Sequence, residues 1–187
     1  MKTNIILSFC NIMKTKKIYL PVSFFIILFL ISCTATNPPV DSSKTTSGTL
    51  SVSTLTSSAG GPYAPRNVLA IWVETSSGKF VKTLLVYAAE RKFDLTNYMS
   101  NSSGNATDAI TGATQSSHTT RTCTWKGKDA SGNLVANGNY KLCMELSDTN
   151  GTGTFKTITF AKDTIATSQS PGNMSCFSNI SIKWTPN

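Results

Sequence analysis

The chain has a single histidine, His118, no Cys-x-x-Cys pair and no Gly-x-Ser-x-Gly elbow. A histidine-cluster metal centre, a Cys/His dyad, a thioredoxin-like redox pair and a hydrolase triad are therefore not expected, and no metal site is assigned. Acidic residues are scarce, 9 against 17 lysines and arginines. The basic residues are scattered rather than gathered into a stripe with interleaved aromatics, so the excess does not point to a nucleic-acid partner. The greasiest stretch, Pro21 to Ile31, falls well short of the ~20 residues that a membrane-spanning helix needs. With no catalytic constellation visible, an enzyme acting on an envelope substrate ranks last among the readings.

What is present begins with a leader. Lys14, Lys16 and Lys17 form a basic head, Phe24 to Phe29 an unbroken apolar core, and Leu30-Ile31-Ser32-Cys33 a small-residue junction ending in cysteine. That order is how a bacterial lipoprotein signal reads. The lysines stay cytoplasmic, the core enters the translocon, and Ser32 leaves room for a peptidase. The Cys33 thiol would then carry diacylglycerol and tie the protein to a membrane. An ordinary cleaved signal and an uncleaved anchor are the alternatives. Met13 is a plausible true start, because the basic head follows it directly. Residues 1–32 are thus assigned to the signal. Lys2, Lys14, Lys16 and Lys17 belong to it, which leaves thirteen basic residues against nine acids, a net charge of +4 on the mature chain.

Residues 33–47 comprise the lipidated Cys33 and a polar, proline-containing tether without hydrophobic periodicity. Residues 48–187 suit one domain with a single core. Thr49 to Leu55 is β-branched and partly alternating. Val68-Leu69-Ala70-Ile71-Trp72-Val73 is a continuous apolar run, as expected of a strand buried on both faces. Ser76-Ser77-Gly78 turns it into a returning strand, Phe80 to Tyr87. Phe93 to Met99 reads as one or two helical turns, and Asn101 to His118 as an exposed loop, either disordered or functional. From Arg121 alternation resumes. Tyr140, Leu142, Met144 and Leu146 face one way, while Lys141, Cys143, Glu145 and Ser147 face the other. Ile180, Ile182 and Trp184 close the domain. Six or seven short strands predict an all-β, immunoglobulin-like antiparallel β-sandwich. Trp72 and Trp184 are expected in the core, and Glu90, Arg91, Lys92 and Asp94 on a solvated face.

Cys123, Cys143 and Cys176 remain in the folded part. An exported domain can hold a disulfide, and Cys123–Cys143 is the candidate pair because their strands are expected to be close. The alternative is that all three stay free as small hydrophobes.

Two resemblances extend this reading. Trp125 to Tyr140, with Trp125-Lys126-Gly127-Lys128-Asp129 leading to Gly138-Asn139-Tyr140, resembles a signature of the immunoglobulin-like domain of flagellar hook-capping proteins. Gly127, Gly132 and Gly138 would supply positive φ at turns, Asp129 would accept backbone hydrogen bonds, and Trp125 and Tyr140 would anchor the core. More broadly, Ala64 to Glu74, Gly78 to Leu84, Asp108 to Thr114 and Trp125 to Tyr140 look, in order and spacing, like the domain-of-unknown-function 2271 family of predicted periplasmic proteins. That resemblance implies compartment and architecture more than mechanism.

Asp108-Ala109-Ile110-Thr111-Gly112-Ala113-Thr114 is also similar to the Asp-x-x-(Ser/Thr)-Gly-Ala-Thr motif of flavin-binding domains in exported redox proteins. There a transferase links FMN by a phosphoester to the last threonine. By that match Thr114 is the acceptor, Asp108 a recognition residue, and Gly112 part of a small-residue approach for the transferase. The competing reading is a turn before the next strand. The resemblance implies a covalent FMN and a membrane or envelope redox partner. The alternative function is a non-redox adhesion or scaffold module that holds another envelope protein.

Overall fold

The structure, a computed structural model, describes residues 41–187. The expected signal segment 1–32, the expected lipidation residue Cys33 and the first part of the expected tether lie outside the described residues.

Nine strands and one short helix build two packed sheets. The strands are β1 (Gly48–Thr56), β2 (Val68–Thr75), β3 (Phe80–Tyr87), β4 (Ile110–Gly112), β5 (Thr120–Trp125), β6 (Gly138–Ser147), β7 (Thr154–Lys162), β8 (Thr167–Gln169) and β9 (Phe177–Pro186). Helix α1 (Thr96–Ser102) follows a 3-10 turn at Lys92–Asp94. One sheet has the order β5-β1-β9-β8 and the other β4-β3-β2-β6-β7. The expected all-β sandwich is formed. It departs from a purely antiparallel arrangement at one place, where β4 pairs parallel with β3, Val86 opposite Thr111 and Tyr87 opposite Gly112.

Alternation explains which face each strand buries. Leu50 and Val52 of β1, Ile180, Ile182 and Trp184 of β9, and Leu142, Met144 and Leu146 of β6 point into the inter-sheet core. β2 is fully covered. Leu69, Ile71 and Val73 enter that core, while Val68, Ala70 and Trp72 enter a second cluster with Leu95 and Tyr98. The helix therefore lies over the outer face of the five-stranded sheet, which is why β2 needs no polar residue from Val68 to Val73. Trp72 stacks on Phe155 at 5.5 Å and meets the Tyr98 ring at the same distance. Side chains of this size dominate the burial energy, about 1.5–3 kcal/mol for each large apolar group removed from water.

The Trp125–Tyr140 block behaves as an anchored turn. The Trp125 and Tyr140 rings are 5.3 Å apart, and Trp125 Nε1 donates to the Lys128 carbonyl at 2.6 Å. Asp129 Oδ1 accepts the backbone N–H groups of Ser131 and Asn133, each at 2.9 Å. Gly127 and Gly132 have φ of 70° and 87°. Gly138 is not among the residues with positive φ; it opens β6 in ordinary extended geometry. Lys162, fully buried, donates from Nζ to the Val135 carbonyl and to Asn137 Oδ1 and so ties this turn to β7.

Three further expectations are corrected. Cys123 and Cys143 do not form a bridge, and Cys123, Cys143 and Cys176 are buried free thiols. Cys123 faces the inter-sheet core from the four-stranded sheet. Cys143 faces away from that core, into the cluster beneath α1, so the five-stranded sheet itself lies between the two side chains. The segment Asn101 to His118 is not one long loop, because it contains the end of α1 and all of β4. The tether also joins the domain before Gly48. Asn137 donates from its backbone N–H to the Lys44 carbonyl at 2.7 Å and from Nδ2 to Thr46 Oγ1 at 2.9 Å.

Candidate functional site around Thr114

The segment Asp108 to Thr114 runs along the exposed edge of the five-stranded sheet. Asp108 begins it with φ of 56°, a conformation that a short polar side chain tolerates. Its carboxylate lies 3.5 Å from Lys82 Nζ. Ile110, Thr111 and Gly112 then pair with β3, and the outer side of β4 has no partner strand among the described residues. Gly112 packs on the Tyr87 ring so closely that an added Cβ would come within 2.8 Å of Tyr87 Cδ1. The glycine thus has a packing reason of its own.

Beyond the strand the chain is held again. Asn67 and Gln115 exchange backbone hydrogen bonds at 2.9 and 2.8 Å. Asn67 Nδ2 reaches the Ser117 carbonyl at 3.4 Å, and Arg121 Nη2 donates to the same carbonyl at 2.9 Å. The Arg121 guanidinium also lies over the Tyr87 ring at 5.4 Å. Thr114 therefore stands between two clamps, Gly112 on Tyr87 and Gln115 on Asn67. It is half-buried, whereas Ala113 and Ser116 beside it are exposed.

Thr114 lines a cleft of about 400 Å³ together with Tyr63, Arg66, Glu90, Arg91, Gln115, Ser116 and Asn150. Buried Asp148 builds one wall. Its carboxylate accepts from Ser58 Oγ at 2.8 Å and from the backbone N–H groups of Ala59 and Gly61 at 2.9 Å, and its carbonyl accepts from Tyr63 N–H at 3.0 Å. Gly61 approaches Asp148 so closely that any side chain there would enter the Asp148 backbone. Tyr63 is fixed in turn by Asn150, whose Nδ2 donates to its hydroxyl at 2.9 Å, and by the Arg91 guanidinium 5.1 Å from its ring.

A second, more apolar trough of about 340 Å³ adjoins Gly112 and Ala113 and is lined by Val86, Ala88, Ala106 and Thr111. Asp108 belongs to neither. It borders a third hollow with Lys82, Ile110 and Trp125. The structure thus separates Asp108 from Thr114 by the length of the edge strand, while Gly112 and Thr114 border adjoining hollows. His118 packs behind the Thr114 segment, its Nδ1 3.4 Å from Asn67 Nδ2. Burial pushes its imidazole below the ordinary value, the Asp148 charge opposes that shift and the Arg121 charge adds to it. Asn67 Oδ1, His118 Nε2 and Arg121 Nε are buried without a partner among the described residues, and all three belong to side chains that hold this segment.

The sequence matches a known family over this same ground. Residues 49–175 fit the family described as Predicted periplasmic protein (DUF2271). The chain belongs to that family. No curated protein and no solved structure matches it. The DUF2271 match covers β1 to β8, and therefore both clamps and every residue of the cleft. The compartment in the family description is the periplasm, and no helix among the described residues is long and apolar enough to cross a membrane. Among those residues no group of three His, Cys, Asp or Glu side chains is arranged to hold a metal ion.

A hydroxyl-bearing residue sits at the end of an accessible strand, next to two exposed or small neighbours and a cleft that contains arginine. Asp148 and Tyr63 belong to none of the sequence motifs, and Arg66 falls within Ala64 to Glu74 with no role assigned to it there. The Gly60-Gly61 pair was the one available signal, since paired glycines mark a place where backbone must approach something closely.

Proposed function

We propose that this protein is a lipid-anchored, periplasm-facing carrier of covalently attached FMN, with Thr114 as the attachment residue, in an extracytosolic electron-transfer system. The observation that carries this reading is the placement of Asp108 to Thr114 along the edge strand β4, which has β3 on one side only among the described residues and leads to an arginine-containing cleft. An enzyme that modifies a threonine must grip the flanking backbone, and a free strand edge offers hydrogen-bonding groups for that grip. Gly112 and Ala113 keep the approach open, and Asp108, 74% exposed at its side chain, is accessible as a recognition residue. Thr114 would form the new bond from Oγ1 to the riboflavin-side phosphorus of a flavin dinucleotide. The diphosphate bridge breaks, AMP leaves with the bridging electron pair, and the hydroxyl proton passes to a base of the transferase. The bound flavin would supply one- or two-electron transfer.

The test is an intact mass of the protein after co-expression with an active flavin transferase. An added FMN that is absent from Thr114→Ala is expected; an unshifted mass for the wild type overturns the reading. Labelling with a palmitate analogue is expected to require Cys33, and label retained in Cys33→Ala overturns the anchor.

The scaffold reading draws on the same edge. Ile110, 47% exposed on β4, presents an apolar side chain where a partner's strand would add. It gains if the mass never shifts.

A further inference from the structure

Two arginines reach the cleft beside Thr114, and they differ in what they are free to do. Arg91 is committed to the wall. Its Nη2 lies 2.8 Å from Asp94 and donates to the Thr149 carbonyl at 2.7 Å and to Asn150 Oδ1 at 3.2 Å. Its Nε also donates to Asp94. The ion pairs among the described residues are Asp41–Lys44, Lys82–Asp108 and Arg91–Asp94, which leaves Arg66 without an ionic partner.

Backbone geometry fixes where Arg66 stands. Its N–H donates to the Tyr63 carbonyl at 2.9 Å, so it closes the turn that Asp148 holds in place. The next residue, Asn67, pairs antiparallel with Gln115. Arg66 therefore lies across from Ser116, one step beyond the bridge that also holds Thr114. An exposed, unpaired guanidinium is thus presented on a rigid frame beside the threonine.

We propose that this cleft is a phosphate seat in which Arg66 is the counter-charge, and that its occupant is the phosphate end of a riboflavin phosphate. The identity of the occupant rests on the reading of Thr114 given above; the phosphate preference rests on Arg66 itself. A phosphoester on Thr114 carries its negative charge two bonds from Oγ1, on the non-bridging oxygens, and Thr114 lines this cleft. Arginine's planar fork matches two phosphate oxygens at once, which a lysine would not reproduce. Tyr63 provides an aromatic wall and Ser116 a further hydroxyl. Glu90, exposed on the same rim, opposes the anion, so it sets an upper limit on affinity that its removal should lift.

The experiment uses the full chain in detergent, produced without transferase, so that no covalent link is present. Riboflavin 5′-phosphate and riboflavin are titrated separately and flavin fluorescence is followed, with inorganic phosphate as competitor. The phosphate form is expected to bind at least about tenfold more tightly than riboflavin, the scale of one or two charge-assisted hydrogen bonds. That preference should vanish in Arg66→Ala, be weakened in Arg66→Lys and increase in Glu90→Gln, while the urea midpoint of each variant stays at the wild-type value. Equal affinity for the two flavins, no saturable binding at millimolar concentration, or an unchanged preference in Arg66→Ala would overturn the proposal. A preference for inorganic phosphate alone, with no gain from the flavin, would keep the seat and remove the flavin as its occupant. Because no covalent bond is needed, an unshifted mass in the attachment test and a failed titration here are separate results.

Discussion

Glu145 Oε2 accepts the backbone N–H of Tyr98 at 2.8 Å, and Glu145 Oε1 accepts the N–H of Asn97 at 3.1 Å. A carboxylate from near the end of β6 thereby caps a helix 47 residues earlier in the chain. Helix α1 needs it, because the residue at its N-cap is Leu95, which has no side-chain oxygen to offer. The negative charge also faces the positive end of the helix dipole. Glu145→Ala is expected to lower stability by about 3 kcal/mol, since it leaves buried N–H groups without an acceptor. Glu145→Gln keeps one acceptor and should lose less. Urea denaturation measures both; two variants within 0.5 kcal/mol of wild type, an estimate of ordinary surface effects, would remove the cap from the argument.

Asp148 does for the cleft what Glu145 does for the helix. Asp148→Ala removes the acceptor of Ser58 Oγ and of the Ala59 and Gly61 N–H groups. The expected loss is about 2–4 kcal/mol. Hydrogen exchange at Ala59 and Gly61 should accelerate before global unfolding, while exchange in β2 and β6 follows only the global loss. Uniform acceleration would mean that the 58–63 turn is not held by this carboxylate.

Alkaline pH should destabilise the protein through its cysteines. Burial raises the Cys123 thiol to about 12 and Cys176 to about 11 from an ordinary 9.0, and burial, with Glu74 adding to it, raises Cys143 further still. Above pH 9 the unfolded thiols ionise while the folded ones keep their protons, so the folded state binds more protons and stability falls as pH rises. Each thiol contributes about 1.4 kcal/mol per pH unit. Buried Lys162 has the opposite sign. Desolvation lowers its folded value, so stability rises as pH climbs towards 10.5, and part of the thiols' effect is offset. Stability therefore falls between pH 9.5 and 10.5, by up to about 4 kcal/mol per unit from the three thiols, and Tyr140, whose hydroxyl burial also raises, adds to the fall as pH passes 10. Urea midpoints across that range test it, and Cys143→Ala should flatten the slope by one proton. A slope unchanged in that variant would place the titration elsewhere.

Much of the fold is legible in the residues because its signal is local. Alternation along β6 and β9 sorts inward from outward side chains, and both strands face as their pattern says. The unbroken apolar run of β2 announces cover on both faces, and α1 supplies the second cover. Trp125, Asp129 and Tyr140 carry their turn in their own side chains. The alternative of three free thiols holds over the expected Cys123–Cys143 bridge for a physical reason. β5 and β6 belong to different sheets, and successive residues of a strand point to opposite faces. Cys143 points towards α1, and Cys123 into the sandwich.

At the candidate site the division is sharper. Asp108, Gly112 and Thr114 stand out as a linear motif, since spacing along a chain survives without a fold. Asp148 carries no such mark, and Arg66 and Asn67 fall within Ala64 to Glu74 with nothing there to set them apart as site residues. Arg66 comes to Thr114 only because the turn at Ser58 to Tyr63 wraps a carboxylate 90 residues from Ser58, and because Asn67 bridges to Gln115. The sequence by itself determined the strand count's order of magnitude, the inward faces, the anchored Trp125–Tyr140 turn and the motif that ends at Thr114, because hydrophobic periodicity and turn chemistry act over a few residues. Only the tertiary structure decided which cation stands free beside that threonine, which carboxylates cap a helix and hold a turn, and that no two of Cys123, Cys143 and Cys176 meet. Those outcomes depend on pairings between distant segments, and these are set by packing of the whole core and by no local pattern.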